Sequence, residues 1–201
     1  MKSNQPKYYS SFIIDNIHFT VITSTNGIRE IIFNIENDNS KLLNTIQRKP
    51  DDPDMFNVYL QLKEYFSGDR NNFDLPLEIE GTEFQKRVWN ELSNIPYGRT
   101  ISYKELAVRL GDEKVIRAAA SANGANPLPV VIPCHRVIGS DGSLIGYGGG
   151  LEIKEKLLIL EGSRQKDLFN LWDKIIQMAI TLHLNYSEQR YFSIFHSVIS
   201  I

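Results

Sequence analysis

Arg117-Ala118-Ala119-Ala120-Ser121-Ala122-Asn123-Gly124-Ala125 runs directly into Asn126-Pro127-Leu128-Pro129-Val130-Val131-Ile132-Pro133-Cys134-His135-Arg136-Val137-Ile138. The first block has almost no side-chain bulk. It reads either as a helix buried by close packing or as one whose surface can enter a minor groove about 6 Å wide. In the second block, three prolines restrict the backbone and predict a rigid, extended approach to Cys134. Upstream, Thr82 and Gln85 form a capping-box pattern that opens a helix through about Leu92. Ser102 and Glu105 repeat the pattern ahead of a short helix, Tyr103 to Leu110, closed by Gly111. A further helix is expected from Asp112-Glu113 to about Asn123. Two short helices joined by a glycine-containing turn are the pattern of a helix-turn-helix. Downstream come a turn at Gly139-Ser140-Asp141-Gly142, a loop at Gly146-Tyr147-Gly148-Gly149-Gly150, and a helix from Leu151 to about Glu161 that stops at Gly162.

Before residue 81 the texture differs. Ser11 to Ile14 and Ile17 to Ile22 alternate as strands, and Ile28 to Phe33 returns as another. Asn26-Gly27 between them signals a type I′ hairpin, whose two central residues need positive φ. A helix is expected from about Asp54 to Phe66, ended by Ser67-Gly68-Asp69, then an extended run from Phe73 to Ile79 in which Pro76 suggests an edge. His18, on a strand, reads as structural. The fold class is α+β. The organisation expected is a small α/β domain over 1–80, a mainly helical domain over 81–162, and a helical extension over 163–201 with Leu168, Leu171, Trp172, Ile175 and Ile176 on one face.

With 201 residues the chain can bury a sizeable core, and 42% hydrophobic content is ordinary for a globular protein. No run of eighteen apolar residues predicts a membrane span, and the first residues lack the core of a secretory signal, so a cytoplasmic location is expected. The net charge of −2 does not advertise a nucleic-acid binder. It is uneven, however: residues 1–80 carry 8 basic and 12 acidic side chains, and residues 81–162 carry 10 and 9. Only the second region is suited to phosphate, through locally placed Arg and Lys.

Cys134 is the single cysteine, which excludes an intramolecular disulfide and any multi-cysteine zinc site. A thiol near its reference pKa of about 8.5 is mostly protonated at neutral pH. To act as a nucleophile it needs a base, a cation or a helix N-terminus nearby. His135 adjoins it, and a water can bridge two neighbours whose side chains diverge. A carboxylate would then fix the histidine tautomer. The chain offers many carboxylates, and spacing does not choose among them.

Ile132-Pro133-Cys134-His135-Arg136-Val137-Ile138, together with the pattern from about Phe84 to Gly162, resembles the O6-alkylguanine-DNA alkyltransferases, or methylated-DNA–protein-cysteine methyltransferases. The resemblance implies an RNase H-like N-terminal domain and a winged-helix-like helix-turn-helix domain that carries the chemistry. It implies direct, stoichiometric transfer of an alkyl group from guanine in double-stranded DNA to Cys134 by a monomer, without cofactor or metal. His135 resembles the histidine that activates the thiol through a water, and Glu161 its carboxylate partner. Asn126 resembles the brace of the turn before the active-site strand. Tyr103 is similar to the tyrosine that assists protonation of the departing guanine. Arg117 resembles the finger that fills the gap left by a flipped nucleotide, with Ala118, Ala122 and Ser102 beside it facing DNA. Pro129, Val137, Tyr147 and Gly148 would line the base pocket, the backbone of Cys134 and Val137 receiving the exocyclic amine. Gly148 departs from relatives that carry a hydroxyl there. The rival readings are a lesion-binding or regulatory protein without transfer activity, and a cysteine hydrolase.

Overall fold

The computed structural model describes residues 6–34 and 39–165; the expected helical face beyond residue 165 lies outside them. Residues up to Arg164 form one compact unit. Its N-terminal part is a four-stranded sheet of β1 (Lys7–Ile14), β2 (Ile17–Ser24), β3 (Gly27–Phe33) and β4 (Thr45–Gln47). The strand order is β3-β2-β1-β4, with β4 parallel to β1 and the other pairs antiparallel. Helix α1 (Pro53–Ser67) packs on this sheet. Strand β2 is buried continuously from Phe19 to Thr23 rather than on alternate residues, and a register shift in its pairing with β3 falls at Ile22/Thr23; Phe19, Val21, Ile28 and Ile31 share one core cluster with Val58, Leu62 and Tyr65 of α1. Each such side chain contributes about 1.5–3 kcal/mol by leaving water.

The turns correct one expectation. The two consecutive positive-φ residues of a tight hairpin are Asp15 (51°) and Asn16 (61°), between β1 and β2. Asn26-Gly27 does join β2 to β3, yet Gly27 has φ 148° and serves another purpose: a Cβ there would strike the carbonyl of Pro76. That close approach lets Ile28 donate its N–H to Pro76 O at 2.8 Å, which attaches the extended segment around Leu77 to the sheet edge.

The second part is helical: α2 (Glu83–Ser93), α3 (Tyr103–Arg109), α4 (Ile116–Gly124) and α5 (Leu151–Leu160). A short parallel pair, β5 (Ile101–Ser102) and β6 (Val137–Ile138), ties the start of α3 to the segment after Cys134. Thr82 and Gln85 cap α2 reciprocally, as expected. At α3 only half the box forms: Ser102 Oγ accepts from Glu105 N–H, while the Glu105 carboxylate turns to Arg109. The helix expected from Asp112 is split. Asp112 caps a 3-10 turn over Glu113–Val115, and α4 begins only at Ile116. Trp89 Nε1 donates to Ala122 O at 2.9 Å and locks α2 against α4. The sheet core and the helical core are continuous in one buried cluster.

Candidate active site

Cys134 opens a 3-10 turn, Cys134–Arg136, directly after Pro133. The approach is not extended. Ile132 N–H bonds to Leu128 O at 2.8 Å, and Val130, buried and β-branched, takes φ 75°. Asn126 straddles this turn, accepting from Leu128 N–H at 3.0 Å and donating to Ile132 O at 2.8 Å. The prolines made a compact loop because Asn126 supplies the hydrogen bonds that a strand partner otherwise would.

The thiol is buried, and burial pushes its pKa up to about 11, against the opposing pull of Asn126 and Lys154. His135 is wholly buried, and its Nε2 lies 2.9 Å from Glu161 Oε1. Burial lowers the histidine pKa, with Arg136 and Lys154 adding to the effect and Glu161 opposing it. The imidazole is therefore neutral, with its proton on Nε2 facing the carboxylate. Nδ1 is buried without a hydrogen-bond partner among the described residues. A lone pair is thus available on Nδ1 to accept a proton.

Glu161 sits at the C-terminal end of α5, where the helix dipole disfavours an anion. Four groups offset that. Arg136 grips both oxygens (Nε at 3.1 and 2.9 Å, Nη2 at 2.8 Å), and Tyr65 donates at 2.5 Å. His135 and the Gly98 N–H, at 3.2 Å from Oε2, complete the set. Burial alone would raise the carboxyl pKa, but hydrogen bonds from His135, Arg136 and Tyr65 outweigh it and hold the value at about 2.

Cys134, Asn126, Pro129, Tyr147 and Gly148 line one cavity of about 170 Å³. Its far wall comes from the sheet: Ile31, Ile32 and Phe33 of β3, with Glu30 and Lys41 paired at the rim. Tyr103 and Arg117 line an adjoining cleft that shares Asn123, Tyr147 and Gly148 with the cavity. Burial raises the Tyr103 pKa, Cys134 adds to the rise and Asn123 opposes it, so its hydroxyl is a donor at neutral pH. Arg117 and Ala118 are exposed on α4.

One expected site residue lies elsewhere, and two others carry structural bonds. Ala122 is buried (3% exposed) against α2, so its small size serves helix packing and it cannot face DNA. Ser102 caps α3 and remains half-buried. The Val137 side chain is fully buried outside the cavity lining, and its carbonyl accepts from Lys154 Nζ at 2.7 Å. The sequence reading gave no role to Arg136, Tyr65, Asn123 or Lys154. Lys154 is the most legible of these, a lysine set among Ile153, Leu157 and Leu158 on the buried face of α5. Burial holds its pKa down to about 8, and it stitches the glycine loop to β6 through Val137 O and Ile145 O.

Comparison with known proteins decides the family. Residues 83–163 match the 6-O-methylguanine DNA methyltransferase, DNA binding domain, and residues 9–79 match the ribonuclease-like domain of the same group. Crystallised Mycobacterium tuberculosis O6-methylguanine methyltransferase is 36% identical, with a TM-score of 0.71 over 82% of this chain and 99% of that one. The chain belongs to the 6-O-methylguanine DNA methyltransferase family. Mycobacterium tuberculosis OGT in complex with DNA superposes with a TM-score of 0.68 at 37% identity, over 78% of this chain and 93% of that one. The methylated-DNA–protein-cysteine methyltransferase of Methanosarcina acetivorans is 55% identical over 103 residues, 51% of this chain; the match spans just under two thirds (66%) of that relative. Among the described residues no helix is long and apolar enough to cross a membrane, and no cluster of three His, Cys, Asp or Glu side chains could hold a metal ion.

Proposed function

We propose that this chain repairs DNA by moving a methyl or other alkyl group from O6 of guanine onto Cys134. The observation that carries the proposal is the buried His135–Glu161 contact beside a lone thiol, with Nδ1 left free to accept a proton. At rest both thiol and imidazole are neutral. As the alkyl carbon approaches, the thiol proton passes to Nδ1 through a bridging water. Sulfur then forms its bond to carbon while the carbon–O6 bond breaks and its electrons return to the purine. Tyr103 supplies the proton that makes guanine a good leaving group. Glu161 stabilises the imidazolium formed in this step.

The cavity is too enclosed for a base stacked in a duplex, so the nucleotide must rotate out. Arg117, exposed on α4 at the mouth of the adjoining cleft, fills the vacated position, and Ala118 beside it admits the groove wall. Residues 1–80 and 81–162 act as a supporting and a DNA-binding domain. The product is a thioether, and the chain has no second cysteine to release it, so each molecule turns over once. The protein works as a monomer, in the cytoplasm, on duplex DNA carrying O6-alkylguanine.

Mass spectrometry tests this. After incubation with duplex DNA containing one O6-methylguanine, the Cys134 peptide should gain one methyl per chain, and Cys134→Ser should gain none. Lesion binding without any mass change would leave a recognition protein and refute transfer.

A further inference from the structure

Glu161 receives one donor from far outside the helical region. Tyr65, on α1 beneath the sheet and 96 residues away in sequence, donates its phenol to Glu161 Oε1 at 2.5 Å. That is the oxygen that faces His135 Nε2. The Tyr65 ring is fully buried and clamped by Phe66 and Tyr97, both edge-on, and by Phe73. The hydroxyl therefore has little freedom to leave the carboxylate.

We propose that Tyr65 is a positioning residue through which the sheet domain acts on the reactive thiol: by donating to Glu161 Oε1 it fixes the carboxylate and limits its pull on His135, keeping the imidazole neutral with Nδ1 open. The proposal rests on the alkyl-transfer reading for its purpose but not for its physics. A carboxylate oxygen that already accepts a strong hydrogen bond stabilises a neighbouring imidazolium less. The groups around the pair are few. Arg136 on the same turn and Lys154 on α5 disfavour the imidazolium, and Glu161 alone favours it. Tyr97, before β5, places its hydroxyl on Leu160 O at 3.3 Å, and Tyr147 stacks edge-on to the imidazole. Cys134 is uncharged at rest. Burial and the Glu161 charge raise the Tyr65 pKa far above its ordinary value, so it remains a donor throughout the working pH range.

Tyr65→Phe keeps the ring and removes only the donor. Imidazole nitrogen NMR of the full chain, which has 4 histidines, reads His135 directly once assigned. In Tyr65→Phe the His135 titration should move up by about half a pH unit, roughly a threefold rise in the protonated fraction at pH values above the midpoint. The acid limb of Cys134 alkylation by iodoacetamide should move the same way. Tyr59→Phe, on the same helix, should leave both in place. Should Tyr65→Phe fail to fold, 3-fluorotyrosine at position 65, a stronger donor, should move the titration down. An unchanged His135 titration in a folded Tyr65→Phe or fluorotyrosine protein overturns the proposal. Neither readout uses DNA. Failure of the wild type to accept a methyl group from DNA would therefore count against the transfer reading alone.

Discussion

Arg136 and Glu161 meet as a fork on a fork in the middle of the protein, with guanidinium nitrogens on both carboxylate oxygens and less than a tenth of either side chain exposed. The remaining nitrogen, Nη1, donates to Ile95 O at 2.5 Å, so the arginine also pins the segment after α2. Removing it strands a buried carboxylate. Arg136→Met should cost about 3–5 kcal/mol. Arg136→Lys should recover less than half of that, because one ammonium cannot serve both carboxylate oxygens and Ile95 O. Urea denaturation measures both, and a loss below about 1 kcal/mol for the Met variant would show that water replaces the pair.

The same carboxylate sets an acid dependence whose sign is fixed. Glu161 is held at about 2, below the ordinary 4.5, so its contribution is complete above about pH 4.5 and disappears as pH falls toward 2. The depression corresponds to about 3 kcal/mol. His135 works in the same direction, since burial lowers its pKa and the unfolded chain takes up a proton that the folded one resists. Glu161→Gln should therefore be less stable than wild type by a constant amount between pH 5.5 and 7, with the gap closing on further acidification. Stability curves from pH 7 to 2.5 test it; a gap that stays open at the acid end contradicts the assignment.

How much of this was legible in the sequence depends on whether a role is local. The capping box of α2, the existence of strands β2 and β3 and the stop at Gly162 are written in neighbouring residues, and the structure has them, although β2 is buried at consecutive rather than alternate positions. The placement of Glu161 opposite His135 came from resemblance, since 26 residues separate them and spacing alone could not choose the carboxylate. Tyr65 left no signal at all. Its pattern on α1 is that of a core aromatic, and the polar end matters only because α5 terminates against it. Ala122 misled for the converse reason: a small residue suits both a groove and a tight helix crossing, and the Trp89 hydrogen bond decides for the crossing. The three-proline segment misled because proline fixes φ without specifying which way the chain turns, and the Asn126 side chain made that choice.

The proposed role of Arg117 predicts that its loss separates base flipping from chemistry. Arg117 is exposed at the start of α4 and lies outside the lining of the Cys134 cavity. Its loss should leave the thiol and the His135–Glu161 pair intact. Arg117→Ala should slow transfer from duplex DNA by about tenfold or more, since unstacking costs a few kcal/mol that the side chain partly offsets. The reaction with free O6-methylguanine base should change by less than about twofold. Single-turnover rates on the two substrates check this, and an equal loss on both would remove the flipping role.

Gly148 and Gly149 are adjacent but should tolerate a side chain very differently. A Cβ on Gly148 meets nothing within 4 Å and would point into open space beside the cavity. A Cβ on Gly149 would lie 2.7 Å from Phe33 Cδ2 and 3.1 Å from Ile153 Cδ1. Phe33 cannot easily yield, because it packs on Phe19 at 5.4 Å and on Tyr147 at 5.8 Å between ring centroids. Gly149→Ala should therefore cost about 1–3 kcal/mol through overpacking, and it should disturb Tyr147 where that ring borders Cys134. Gly148→Ser should change stability by no more than about 0.5 kcal/mol, while placing a hydroxyl donor where the alkylated oxygen would sit. Thermal melts decide the stability contrast. Transfer rates decide the chemistry: a faster Gly148→Ser protein on O6-methylguanine locates that oxygen beside residue 148. A rate and a melting temperature both unchanged would mean that the base binds with O6 turned toward another wall of the cavity.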